Sequence, residues 1–292
     1  FLNTVRQIVS SDGVSPVRGV LSHLRWQLRR VTRAFPCELK IGNSRLYVDR
    51  PGGVAALVNA MGEYDFNNME LLRLVLMQRP STFIDVGANV GTYTLIASEV
   101  PYSEVVSIEP HPSTFALLRN NVARNDRGNV LCLNVGLSHS DSDLLLSEEE
   151  DPSLNRAVGE GLQRDRVQIV TGRTLQSLCE QFDLFPDFVK VDVEGYERSV
   201  LQGFGKYRGA PDLIFIEGGD RVEIEEWMRD SGYRGPWFVH MKSRVISTVH
   251  QRRVEDPVFV HERYISEMEA LKFRFTGALS RGESECRNYT SR

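Results

Sequence analysis

At 292 residues, 41% hydrophobic and 25% charged, the chain has the composition of an ordinary globular protein, enough for one large domain or two small ones. A formal charge of −4 argues against a grip on nucleic acid, and no run reaches the roughly 18 apolar residues of a membrane span. Cys37, Cys132, Cys179 and Cys286 are dispersed, without a CxxC pair, which fits free thiols in a reducing compartment and a cytoplasmic protein.

Val17, Leu21, Leu24, Leu28, Val31 and Phe35 recur at helical spacing. Arg18, Arg25, Arg29, Arg30 and Arg33 surround them, no acid occurs between Asp12 and Glu38, and Pro36 ends the pattern. The expectation is a helix that buries this stripe on its own domain. A dimer contact or a peripheral hold on an anionic membrane are the other uses of such a face. Residues 37–48 alternate about Gly42-Asn43, a hairpin, which Pro51-Gly52-Gly53 breaks. Residues 69–77 form a leucine-rich helix that stops before Pro80. Gly62-Glu63-Tyr64-Asp65 is a polar loop placed to fold over whatever follows. Residues 1–80 thus read as an N-terminal extension of helix, hairpin and helix.

Residues 83–109 organise what comes next. Phe83-Ile84-Asp85-Val86 is a short run of the buried-strand kind, and Gly87-Ala88-Asn89-Val90-Gly91 is a tight loop. Residues 92–100 have helical spacing, and a second apolar run, 105–108, ends at Glu109-Pro110. This is one βαβ nucleotide-binding half, with Glu109 where an acid meets ribose hydroxyls. The loop is G-x-N-x-G, so a pyrophosphate cradle is incomplete. Asn89 stands at the middle-glycine position and tolerates a left-handed backbone. Asp85, just before the first glycine, would repel a pyrophosphate and suits a ligand carrying an ammonium or sulfonium, such as S-adenosylmethionine (SAM).

Farther on, Pro112 opens a helix with Phe115, Leu118 and Val122 buried, and 130–135 is a third strand. The segment 136–166 is long and polar, with a small strand at Leu144-Leu145-Leu146 and an acidic run Glu148-Glu149-Glu150-Asp151. Residues 167–170 form a strand, and Thr174 caps the helix after it. A strand at 188–191, interrupted by Lys190, ends in Asp192-Val193-Glu194-Gly195-Tyr196; another, at 213–216, ends in Glu217. Helices at 197–204 and 223–228 and late strands at 237–240 and 245–249 follow, then a polar tail, 277–292. The tail's Asn288-Tyr289-Thr290 matches a glycosylation acceptor by chance. Alternation of strands and helices predicts a doubly wound, mostly parallel sheet. Strands ending at Asp85, Glu109, Asp192 and Glu217 gather carboxylates at the rim where such sheets bind ligands, a costly arrangement unless a cation or donors meet them.

The motifs from Phe83 to Gly91, Ser107-Ile108-Glu109-Pro110-His111-Pro112, Lys190-Val191-Asp192-Val193-Glu194-Gly195-Tyr196-Glu197 and Leu213-Ile214-Phe215-Ile216-Glu217 resemble those of the FkbM-type SAM-dependent methyltransferases. The likeness runs from about Glu38 to about Val260. It implies a class I methyltransferase fold over 81–276, a Rossmann-like sheet of seven strands with the last antiparallel. It also implies O-methylation of a hydroxyl on a sugar, glycolipid or polyketide-like molecule. Carried over, Asp85, Gly87, Ala88, Asn89, Gly91 and Thr94 would surround the methionine end of SAM. Glu109 and Pro110 would hold the ribose, and Asn134 to Gly136 would lie near the adenine. Asp192 and Glu194 match the family's D-x-E-G motif beside the methyl group. Asp192 or Glu194 is the expected base or acceptor-orienting group, with His111 a rival. Lys190 either pairs with a neighbouring acid or orients the acceptor, and Glu217 either joins the site or caps the helix after it. Trp237 and Phe238 would stack on a sugar or belong to the core. No ligand set for a metal is evident. The alternatives are an NAD-dependent oxidoreductase on a similar sheet and a non-catalytic binding protein working through helix 17–35.

Overall fold

The computed structural model describes residues 15–63, 65–147, 167–205, 210–218, 221–248 and 256–276. Residues 1–14, Tyr64, the acidic run within 148–166, and the tail from 277 with Cys286 and the Asn288 pattern lie outside the described residues.

Helix α1 spans Pro16–Val31, and strands β1 (Cys37–Ile41) and β2 (Ser44–Val48) form the expected antiparallel hairpin. Helix α2, Gly53–Met61, was not anticipated, although Val54, Leu57, Val58 and Met61 carry a helical apolar repeat. Helix α3, Phe66–Leu76, completes the N-terminal part.

The sheet then begins. Strand β3 (Ser81–Val86), helix α4 (Thr92–Ser98), strand β4 (Ser103–Ile108), helix α5 (Pro112–Arg124) and strand β5 (Val130–Leu133) are laid down in parallel succession. Four short strands leave the main sheet: β6 (Gly136–Leu137), β7 (Leu144–Ser147), β8 (Val167–Val170) and β9 (Gly172–Arg173), paired β6 with β9 and β7 with β8. The run at 167–170 is therefore the partner of the small leucine strand, not a member of the central sheet. Helix α6 (Leu175–Phe182) follows, with Thr174 Oγ1 accepting from the Ser177 amide at 3.0 Å as its cap. Strand β10 (Pro186–Val191), helix α7 (Glu197–Gln202), strand β11 (Leu213–Ile216), helix α8 (Arg221–Asp230) and strands β12 (Tyr233–His240) and β13 (Val245–Ser247) continue the chain. Strand β14 (Val258–His261), a short 3-10 turn, helix α9 (Ile265–Ala270) and strand β15 (Arg274–Thr276) end it.

The central sheet runs β5-β4-β3-β10-β11-β14-β12-β13-β15. Strand β14 is antiparallel to both of its neighbours, β11 and β12, which gives the seven expected strands with the last in sequence reversed. The short strands β13 and β15 extend the edge to nine. Side chains alternate between two apolar layers, so the strands read as continuous apolar runs. Phe83, Phe188 and Phe215 face α3 and α4, together with the hairpin's Leu39 and Leu46. Ile84, Val86, Val189, Val191, Ile214 and Ile216 face α6, α7 and α8. Trp237 and Phe238 are buried core residues, Trp237 lying 4.6 Å ring to ring from Phe275, so neither is open to a sugar.

Helix α1 corrects the sequence expectation. Its apolar stripe points outward, and the opposite side packs instead: Trp26 is 1% exposed and meets Phe35 edge-on, and Val20 sits against Leu57, Ala60 and Met61 of α2.

Candidate active site

The parallel strands β3, β4, β10 and β11 end along one rim, where a cleft of about 260 Å³ opens. Glycine 87 makes it. Its φ is +76°, and a Cβ there would lie 1.8 Å from the Asp192 carbonyl oxygen, so the loop after β3 rests directly on the backbone after β10. Asn89 holds φ +51° and Gly91 φ +95°, the left-handed turns expected of these positions.

The amides of Gly87, Ala88, Asn89 and Gly91 are already engaged within the protein. Gly87 and Ala88 donate to the Ile108 carbonyl at 2.9 and 3.0 Å, and Gly91 donates to Ala88 at 2.9 Å. Asn89 and His111 donate their amides to the two carboxylate oxygens of Glu109, each at 2.9 Å. A pyrophosphate would need such amides free. Here a carboxylate occupies them and itself forms part of the cleft wall. Burial pushes the Glu109 carboxyl up to about 7 against the pull of those two amides.

Four carboxyl-bearing residues line the cleft: Glu109, Asp192, Glu194 and Glu217. Lys190, buried in β10, bonds Asp192 at 2.6 Å and lies 4.9 Å from the Tyr93 ring centroid. Of the two readings of this lysine, pairing with an acid is the one present. Glu217 is exposed at the cleft, yet the protein atoms crowded around its carboxyl drive it up to about 8, with Asp192 beside it adding to the shift and Lys190 opposing. It does not cap α8, which begins only at Arg221. Behind the wall, Tyr93 donates its hydroxyl to Asp65, and burial together with Asp65 and Glu217 raises Asp256. Asp65 closes the polar loop expected to fold over this region, whereas Asp256 carried no sequence signal, coming from a loop remote from the strand-end motifs.

Asp85 lies beneath the loop, fully buried, rather than on the wall. Thr94 donates to it at 2.7 Å and also contacts Ser107 at 2.8 Å. Burial raises Asp85, and Lys190 and Thr94 pull it back. Ala88 and Gly91 are likewise buried off the wall. Glu194 is exposed at the rim with φ +52°. Glu197, buried, accepts the Gly195 amide at 2.8 Å and so fixes the turn that carries Glu194. His111 lines the cleft mouth as the residue before α5, 3.1 Å from Ser113. Asn134 does not line the cleft; its amide donates to the carbonyls of Glu109 and Pro110 at 2.8 and 2.9 Å. Gly136, Leu137, Leu144, Leu146 and Pro110 give one end of the cleft an apolar floor. The unanticipated α2 supplies the facing side with Gly53, Val54 and Leu57. Among the described residues, no group of His, Cys, Asp or Glu is arranged to hold a metal ion.

Residues 85–234 match the profile of the methyltransferase FkbM domain, from Asp85 through the start of β12. The chain is 32% identical over 154 residues to the hexuronic acid methyltransferase AglP of Haloferax volcanii, a match covering 51% of this chain and 61% of that one. It is 28% identical over 187 residues to methyltransferase sdnD of Sordaria araneosa, covering 51% of this chain and 72% of that one. Among solved structures, a putative transferase from Pyrococcus horikoshii aligns over 84% of both chains at 10% identity, with a TM-score of 0.42. The chain spans about three fifths of the length of AglP.

Proposed function

Because the chain belongs to the FkbM methyltransferase family, we propose that it transfers the methyl group of SAM to a hydroxyl of a sugar-type small molecule. One observation carries the choice of donor. Glu109, Asp192 and Glu217 face a cleft where the amides of Gly87, Ala88, Asn89, Gly91 and His111 are already spent on Glu109 and on the backbone. Such a wall favours a cationic ligand and disfavours the pyrophosphate of NAD. When bound, SAM supplies an electrophilic methyl group on its sulfonium.

The residues divide the work by position. Each Glu109 oxygen, having accepted one amide, keeps a lone pair for a ribose hydroxyl. Pro110, Gly136, Leu137 and the leucines of β7 offer apolar surface to a purine, while Asn134 steadies that end from behind. Gly87 and Asn89 let the loop lie low enough for the ligand to reach Asp192. Asp85 and Thr94 support the loop from below. Asp192, held by Lys190, orients the acceptor hydroxyl, and Glu217 takes its proton. Glu217 favours its protonated form below about pH 8, and a sulfonium beside it would favour the ionised, accepting form. Glu194 and His111, at the rim, contact the acceptor rather than move the proton. The relative AglP, a hexuronic acid methyltransferase, supports a uronic-acid sugar as the first acceptor to try.

Transfer from methyl-labelled SAM to a panel of uronic acid glycosides, neutral sugars and phenols tests this. The expected label is an alkali-stable methyl ether on a sugar, formed faster as pH rises toward 8. Glu217→Gln should lower kcat by about 10²-fold or more and flatten that pH profile. Label on an amine, or an unchanged profile in Glu217→Gln, would reject the assignment.

A further inference from the structure

Helix α1 carries a surface that methyl transfer does not use. Val17, Leu21, Leu24, Leu28 and Val31 are between 49% and 82% exposed and lie on one side of the helix. Exposed apolar residues on a globular protein are normally scattered, and a contiguous row of this kind marks a contact site. Arg18, Arg25 and Arg29, at spacings of seven and four, run along one flank of that row. Arg30 and Arg33 add to the charge, and no acid lies between Asp12 and Glu38, in a chain whose net charge is −4. A second copy docked on this face would bring another arginine row with no acid to pair it. A bilayer rich in anionic headgroups answers both features, taking the leucines into the interface and the guanidiniums among its phosphates.

We infer that α1 is a docking face for the surface of an anionic lipid bilayer. The helix lies flat and does not cross, since no described helix is long and apolar enough to span. Its inner side anchors it to the protein: Trp26 is in the core, and the Asn59 side chain donates to the Ser22 carbonyl at 2.8 Å. Because α1 packs on α2, and Leu57 of α2 lines the cleft, the docked surface and the site would lie on opposite sides of these two helices.

Sedimentation of the full chain with phosphatidylcholine vesicles, with and without about one third phosphatidylglycerol, tests the inference without calling on catalysis. The expected result is binding to the anionic vesicles alone, weakened by added salt. Leu24→Glu with Leu28→Glu should reduce partitioning at least tenfold, with an unchanged circular dichroism spectrum and unchanged methyl transfer to a soluble acceptor. Absence of binding, binding unaffected by the double substitution, or a dimer that the substitution splits would each overturn it.

Discussion

Gly87→Ala is expected to abolish donor binding and to lower stability by about 3 kcal/mol or more, which for a chain of this size is a fall of roughly 6–12 °C in Tm. Two costs combine. A left-handed backbone at φ +76° costs an alanine about 1–2 kcal/mol. The added methyl would also sit 1.8 Å from the Asp192 carbonyl oxygen, a backbone atom that moves only if the end of β10 moves. Displacing Asp192 displaces the site as well. Gly195→Ala is the control. Its φ is +93°, but nothing lies within 4 Å of an added Cβ, so only the backbone cost of about 1 kcal/mol is expected. Thermal melts of both variants decide. Equal losses would mean that the contact between the loop and Asp192 is not what makes Gly87 necessary.

Lys190→Met is expected to cost about 3–5 kcal/mol at pH 8 and distinctly less at pH 5. Methionine keeps the buried stem against Tyr93 and removes the charge. That charge opposes the upward shifts of Asp85, Glu217 and Asp256 and bonds Asp192 at 2.6 Å. Without it the acids repel and must hold protons. The sign follows from Glu217. Its folded carboxyl keeps a proton up to about pH 8, whereas the unfolded chain releases it near 4.5, so stability contributed by the group is present below 4.5 and is lost as pH rises through 8. Removing the lysine pushes these carboxyls higher still and steepens that loss. Urea unfolding at the two pH values measures it; a loss independent of pH would contradict the role given to Lys190.

The strand-loop-helix unit around Gly87 was legible because its signals are local: apolar runs of strand length, glycines that no other residue replaces in place, and an acid at each strand end. The hairpin at Gly42-Asn43 and the Thr174 cap were legible for the same reason. What the sequence hid depends on packing at a distance. The stripe of α1 is more regular than its opposite side, so periodicity favours it as the buried face; Trp26 and the contact of Val20 with α2 decide otherwise. Helix α2 followed directly on Pro51-Gly52-Gly53, a breaker that drew attention from the repeat behind it. Strand β14 is a four-residue run after Pro257, too short to announce that it inserts between β11 and β12. In the site, the strand-end rule named Glu109, Asp192 and Glu217, all on the cleft wall. It also named Asp85, which pairs in register with Ser107 and Lys190 and so lies two residues deeper in the sheet than Glu109 and Asp192, where Thr94 meets it. The resemblance places Asn134 near the adenine; its side-chain amide donates to the carbonyls of Glu109 and Pro110.

Calorimetric titration of the purified protein with SAM and, separately, with NAD bears most directly on the carboxylate wall. Saturable heat with SAM, none with NAD, and at least a tenfold weaker SAM isotherm in Glu109→Gln is the predicted result. Saturable NAD binding with no response to SAM would contradict it.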